Sequence, residues 1–194
     1  MLAQIRAALV MLGALTVITG IAYPLLVTAV AQAAMPGPAN GSLIVKGDKA
    51  IGSSLIGQPI DDPRYFWSRP SGATPAYNAA SSTGTNLGPT NPALTDAVKQ
   101  RVAALRAADV AAGATAATGE VPVDLVTSSG SGLDPHISVA AALYQVPRVA
   151  KARHMDEAKV RALVDAHTAA RQLRFLGEPG VNVLELDLAL DEAR

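Results

Sequence analysis

From Ala7 to Met35 the chain carries no charged side chain. This run, AALVMLGALTVITGIAYPLLVTAVAQAAM, is about 29 residues long, roughly 43 Å as a helix, whereas a bilayer core of about 30 Å needs only about 20 residues. Arg6 precedes it, and Lys46 is the next charge after it. Beyond that point the chain is polar and of mixed sign. The sequence therefore predicts an anchor helix in residues 1–35 and one water-facing domain in residues 36–194. A cleaved signal peptide is the competing reading, because Ala31-Gln32-Ala33 fits a small-x-small cleavage site. The apolar run is longer than the usual h-region of about 7–15 residues, which favours a retained anchor. Arg6 and the terminal amine favour a cytoplasmic N-terminus, sending the domain outside.

Within the anchor, Pro24 offers no N–H to the Gly20 carbonyl, which predicts a kink. Thr16, Thr19 and Thr28 are hydroxyls available to freed backbone groups. Gly13, Thr16 and Gly20 fall near one face with Val27, and small residues on a stripe let another helix approach closely. Gly13, Thr16, Gly20 and Pro24 are thus candidates for a helix interface. The alternative is a plain lipid-facing anchor.

Net charge is zero, with all acids and every base but Arg6 and the terminal amine in the domain. That argues against nucleic acid as a partner. The chain has no cysteine, which excludes a disulfide frame and thiolate metal sites.

Pro36-Gly37-Pro38-Ala39-Asn40-Gly41 reads as a turn-rich exit from the membrane. Ser42–Val45 and Ala50–Ile56 read as two short strands around a Lys46-Gly47-Asp48 turn. Asp61–Ser71 sets Tyr65, Phe66 and Trp67 among turn residues, predicting an ordered, docked segment. Residues 71–92 are rich in Ser, Thr, Gly, Asn and Pro and read as loop. Asn91-Pro92 is a helix start, and Leu94, Val98, Val102 and Leu105 form one apolar stripe. Ala107–Gly119 reads as a flexible connection. Val121–Thr127 (VPVDLVT) reads as a strand. Ser138 caps a helix over Val139–Gln145, Pro147 starts another through Arg153, and Asp156 caps a third. Val181–Leu188 (VNVLELDL) reads as a final strand. This order predicts an α/β or α+β domain with a small sheet and several short helices.

Catalytic patterns are wanting. Gly52–Pro59 imitates a phosphate loop, but Gln58-Pro59 stands where Lys and Ser/Thr are required. His136, His154 and His167 lack helical zinc spacing. There is no G-x-S-x-G elbow. The most site-like element is Thr127–Ser138, holding Thr127, Ser128, Ser129, Gly130, Ser131, Gly132 and Asp134. Successive N–H groups in such a turn, followed by a helix N-terminus, can form an anion nest. The same residues can instead cap their own backbone in a tight connection.

Taken in order, ITGIAYPLLVT, GSLI, GSSLIGQ, YFWSRPS, Thr85-Asn86-Leu87, Asn91-Pro92, VPVDLVTSSGSGLDPHIS, QVPRVAKAR and GEPGVNVLELDLAL span nearly the whole chain. The chain resembles the C subunit of the Kdp potassium-transporting P-type ATPase. It departs from that pattern at Thr85, where serine is more usual, and at Asp187, where asparagine is. The resemblance implies a non-catalytic, single-pass subunit of the bacterial inner membrane. Its partners would be a pore-forming, channel-like subunit and a P-type catalytic subunit, besides lipid, in a complex that takes up potassium. It implies an assembly and stabilising role, with Tyr65, Phe66, Arg69 and Asn86 as candidate docking residues. It also implies an alternative: a regulatory subunit binding ATP through Thr127–Asp134. That alternative needs a cytoplasmic domain, against the charge argument. No firmly bound cofactor or metal is expected.

Overall fold

The computed structural model describes residues 2–114 and 119–193. The part of the expected Ala107–Gly119 connection at 115–118 lies outside them. The chain divides into two compact units, Met1–Ala50 and Ile51–Arg194.

In the first unit, α1 (Leu2–Val17), a π turn (Ile18–Ala22) and α2 (Tyr23–Ala34) form one apolar helix. Over Ala3–Ala34 it is long and apolar enough to cross a membrane. Its large side chains face outward, among them Leu9, Leu12, Leu25 and Leu26. The kink expected at Pro24 takes the form of the π turn, in which the Tyr23 N–H donates to Ile18 O, five residues back. Thr19 Oγ1 donates to Leu15 O at 2.7 Å. A proline cannot supply the next helical N–H, and a widened turn before it shifts the hydrogen-bond ladder. The single turn α3 (Pro36–Ala39) follows. Strands β1 (Leu43–Lys46) and β2 (Lys49–Ser53) form a two-stranded sheet, with Gly47 left-handed in the turn as its φ of 63° requires. The second strand ends three residues short of Ile56, which makes only an isolated bridge to Ser53.

In the second unit, residues 54–91 contain no helix or longer strand. Helix α4 (Pro92–Ala111) starts where expected, the Asn91 side chain accepting the Ala93 N–H at 2.9 Å. It runs on through the buried Asp109 to Ala111, so the first five residues of the expected Ala107–Gly119 connection are helix instead. Helix α5 (Val139–Arg153) is capped by Ser138, and α6 (Glu157–Ala166) by Asp156. Val160 and Val164 of α6 are fully buried and pack with Val146, Val149 and Leu190 in one core.

Three further expectations are corrected. Pro147 lies inside α5 and does not divide it. Val146 and Val149 on either side are fully buried, so packing holds the turn that proline weakens. Val121–Thr127 is not a strand: Val123–Leu125 is a 3₁₀ turn. Its alternation was deceptive, since Leu125 and Val126 both point inward while Val123 is 69% exposed. Pro122 also removes a ladder donor. Val181–Leu188 is mostly helix, α7 (Val183–Glu192). Val183, Leu186, Asp187 and Leu190 recur at helical spacing, and Asn182 caps the helix by accepting the Glu185 N–H. Only Gly180–Asn182 is strand (β5). It pairs antiparallel with β3 (His136–Ser138) and β4 (Thr168–Ala169), in the order β3-β5-β4. The result is an N-terminal apolar helix followed by a helical body with a small antiparallel sheet.

Candidate functional site

A strap of irregular chain, Asp62–Ser71, which opens with a turn closed by the Tyr65 N–H on Asp62 O, packs on the helical body and is held by side chains rather than by a sheet. Phe66 is fully buried, and its N–H donates to Asp187 Oδ1 at 2.9 Å. The Trp67 N–H donates to Gln145 Oε1 at 2.7 Å, and Gln145 Nε2 donates back to Trp67 O at 3.2 Å. Arg148 Nη1 donates to the carbonyls of Pro63 and Tyr65. The Arg148 guanidinium also lies over the Trp67 ring at 4.7 Å, and its Nε stands 3.6 Å from Asp109. At the edge, the Tyr65 hydroxyl meets Asp191, and Arg153 lies over the Tyr65 ring while pairing with Asp191 at 2.9 Å.

The electrostatics follow from burial. Arg148 is 1% exposed, and desolvation lowers its pKa to about 10, so it stays charged at neutral pH. Desolvation raises Asp109, with Arg148 opposing. Asp187 is 4% exposed; burial pushes its carboxyl up to about 8, against the pull of the Phe66 N–H, Arg153 and Arg148. Its Oδ2 is buried without a hydrogen-bond partner. Burial thus favours the neutral form of this acid, whose Oδ1 accepts one backbone N–H.

The strap then docks on the Ser/Gly loop. Arg69 Nη1 pairs with Asp134 at 3.0 Å. The Ser71 hydroxyl donates to Gly132 O at 2.7 Å, and the Tyr77 hydroxyl to Arg69 O. Further along, Ser82 Oγ and the Thr83 N–H both donate to Ser131 O, and Thr85 Oγ1 meets Ser128 Oγ at 3.2 Å. The loop's own hydroxyls serve its backbone. Ser129 Oγ accepts the Gly132 N–H at 2.9 Å, Ser131 Oγ the Leu133 N–H at 3.1 Å, and Asp134 Oδ1 the His136 N–H at 2.9 Å. Thr127 donates to Val123 O. Gly132 is left-handed at φ 67°, and a Cβ there would lie 2.5 Å from Thr83 O; Gly130 has open space around it. At the start of α5, the Asp124 carboxylate accepts the Ser138 N–H at 2.7 Å and its hydroxyl at 3.2 Å. A carboxylate thus already occupies the place where a helix N-terminus would attract an anion. The cleft beside Arg69, lined by Gln58, Asp61, Ser68 and Tyr77, holds about 290 Å³, at the lower limit of about 300 Å³ for small-molecule sites.

Of the residues expected to dock on partners, Phe66 is instead part of this chain's core, because its ring packs under the strap. Tyr65 and Arg69 are half-buried and engaged internally, and Asn86 is exposed with a left-handed backbone, φ 52°. Gly13, Thr16, Gly20 and Pro24 lie along the exposed apolar helix. Gln145, Arg148, Asp109, Asp187 and Asp124 were not among the candidates. The signal for the first two was their position within the apolar face of α5, beside Ala141, Val146 and Val149.

Residues 5–192 match the model of a protein family described as K+-transporting ATPase, c chain. A protein of Sorangium cellulosum is 62% identical over 195 residues, covering 100% of both chains. One of Methylococcus capsulatus is 57% identical with the same coverage. One of Ralstonia nicotianae is 54% identical over 98% of this chain and 91% of its own. All three are described as the KdpC subunit of a potassium-transporting ATPase.

Proposed function

Since the chain belongs to the KdpC family of potassium-transporting ATPase subunits, we propose that its work in that complex is assembly and stabilisation. It is a membrane subunit of the ATPase complex and is not by itself the catalytic enzyme. In this reading the apolar helix packs on a pore-forming subunit, the body lies on the outer face, and a separate P-type subunit hydrolyses ATP to drive potassium uptake. Arg6 ahead of the helix supports that orientation. The Asp-Lys-Thr-Gly-Thr phosphorylation sequence does not occur in this chain.

The observation that carries the reading is the state of the Thr127–Asp134 loop. Its hydroxyls cap its own backbone, Arg69 is spent on Asp134, and Asp124 sits on the α5 N-terminus. These groups hold a structure together and leave little to hold a triphosphate. The test has two parts, both with the full chain. Tagged protein purified from membranes should bring down the pore-forming and P-type subunits. Calorimetric titration of ATP into the detergent-solubilised chain should show no saturable heat. Micromolar ATP binding lost in Ser131→Ala would establish the nucleotide-binding alternative instead. Protease accessibility in intact cells against inverted vesicles checks the orientation.

A further inference from the structure

We infer that the arm between β4 and β5 is the contact by which the body grips another subunit, its Phe175 side chain filling an apolar pocket there. The inference rests on the assembly reading above. All residues from Ala169 to Pro179 are exposed. At the tip, Leu173 is 75%, Phe175 69% and Leu176 48% exposed. Elsewhere in the second unit, large hydrophobic side chains this exposed occur singly, at Leu55, Val110 and Val123. Among the described residues of that unit Phe175 is the exposed aromatic; Tyr65, Phe66, Trp67, Tyr77 and Tyr144 are all buried or half-buried. Scattered apolar residues are ordinary on a protein surface, whereas a cluster on one turn marks an interaction site.

The arm is also built. Gln172 and Leu176 form an antiparallel bridge. The N–H groups of Phe175 and Leu176 both donate to Gln172 O, and that of Arg174 to Arg171 O. Arg171 pairs with Glu178 across the arm. Leu173 and Arg174 hold left-handed backbones, φ 50° and 72°, which are uncommon for non-glycine residues. The tight turn presents its side chains outward in a fixed arrangement, which reduces the ordering cost of binding a shaped pocket.

Charge decides between a protein and a bilayer. Arg171 pairs with Glu178, so among the described residues of the tip Arg174 is the cation that no acid pairs with. Recognition of anionic lipid takes a cluster of about 4–8 basic residues. A single arginine beside an aromatic anchor instead matches an apolar pocket with a carboxylate on its rim. The occupant is therefore such a pocket on a partner subunit.

The test places a photoreactive phenylalanine analogue at position 175 of the full chain, expressed with the pore-forming and P-type subunits. Irradiation should give an adduct with one of them. Phe175→Ser should lower recovery of the complex by about tenfold, as loss of a binding hot spot does. Val123→Ser, equally exposed but elsewhere, should leave it unchanged, and both variants should melt like wild type. Adducts confined to lipid or to a second copy of this chain would overturn the inference. So would unimpaired assembly of Phe175→Ser beside an assembling wild type. A wild type that recovers neither subunit would overturn the assembly reading, and this inference with it.

Discussion

The side-chain amide of Gln145 satisfies both backbone polar groups of Trp67, accepting its N–H at 2.7 Å and donating to its carbonyl at 3.2 Å. A glutamine on a helix thus does for the strap what a neighbouring strand would do in a sheet. Gln145→Ala leaves those groups and Arg148 Nη2 short of partners in a buried site. The expected cost is about 2–4 kcal/mol. Urea unfolding of the full chain in detergent, followed by emission of Trp67, the single tryptophan, measures it. A loss within about 0.5 kcal/mol would mean the strap is held by its aromatic packing alone.

Asp187 makes stability depend on pH. Its carboxyl titrates near the ordinary value of 3.8 when unfolded and about 8 when folded. Between those limits the unfolded chain has lost the proton that the folded chain keeps. Stability therefore falls as pH rises through that window, by up to about 1.4 kcal/mol per unit, and levels off above it. Asp187→Asn keeps the acceptor for the Phe66 N–H and removes the titration. The variant should be the more stable protein at about pH 8, with a flatter profile. Equal slopes for both proteins, read as urea midpoints across the window, would show that Asp187 is ionised in the fold.

The Ser/Gly loop separates its two glycines. Gly132→Ala meets a left-handed backbone and the Thr83 carbonyl, so it should cost more than the about 1–2 kcal/mol of the backbone conformation alone. Gly130→Ala meets neither and should stay within about 0.5 kcal/mol of wild type. Thermal melts of the two variants side by side are the check. Equal melting temperatures would contradict the docking of residues 83–85 on this loop.

In the membrane helix, Gly20 lies in the π turn, with nothing near the place a side chain would take. If its face packs on another helix, Gly20→Leu should reduce recovery of the complex, while Leu12→Val should not. Detergent pull-downs distinguish them, and equal recovery would make that face lipid-facing.

Features written in adjacent residues were legible in the sequence. The uncharged run at 7–35, Asn91-Pro92, Ser138 and Asp156 all lie where they were expected. VNVLELDL misled because Val183, Leu186 and Leu190 fit a helical period as well as the alternation fits a strand. The long apolar face of α7 settles it only when the body is assembled. The clamp on the strap was legible only as two polar residues, Gln145 and Arg148, set among the apolar residues of α5; what they hold was not. Their partners on the strap come from about 80 positions earlier in the chain, a separation no local pattern spans. The departure at Asp187, with asparagine the usual residue, has a physical counterpart: Asp187 Oδ1 accepts the same Phe66 N–H that an amide oxygen would.

The strap also sets an order of events in making the protein. Phe66 finds its acceptor on a residue 121 positions later, on the last helix. Until α7 has been synthesised, Tyr65, Phe66 and Trp67 have no complete seat, and their exposed rings are open to wrong associations. Closure of the body is thus a late event that waits on the C-terminal end of the chain. A ribosome stalled before Val183 would release a product whose membrane helix is whole and whose body cannot shut.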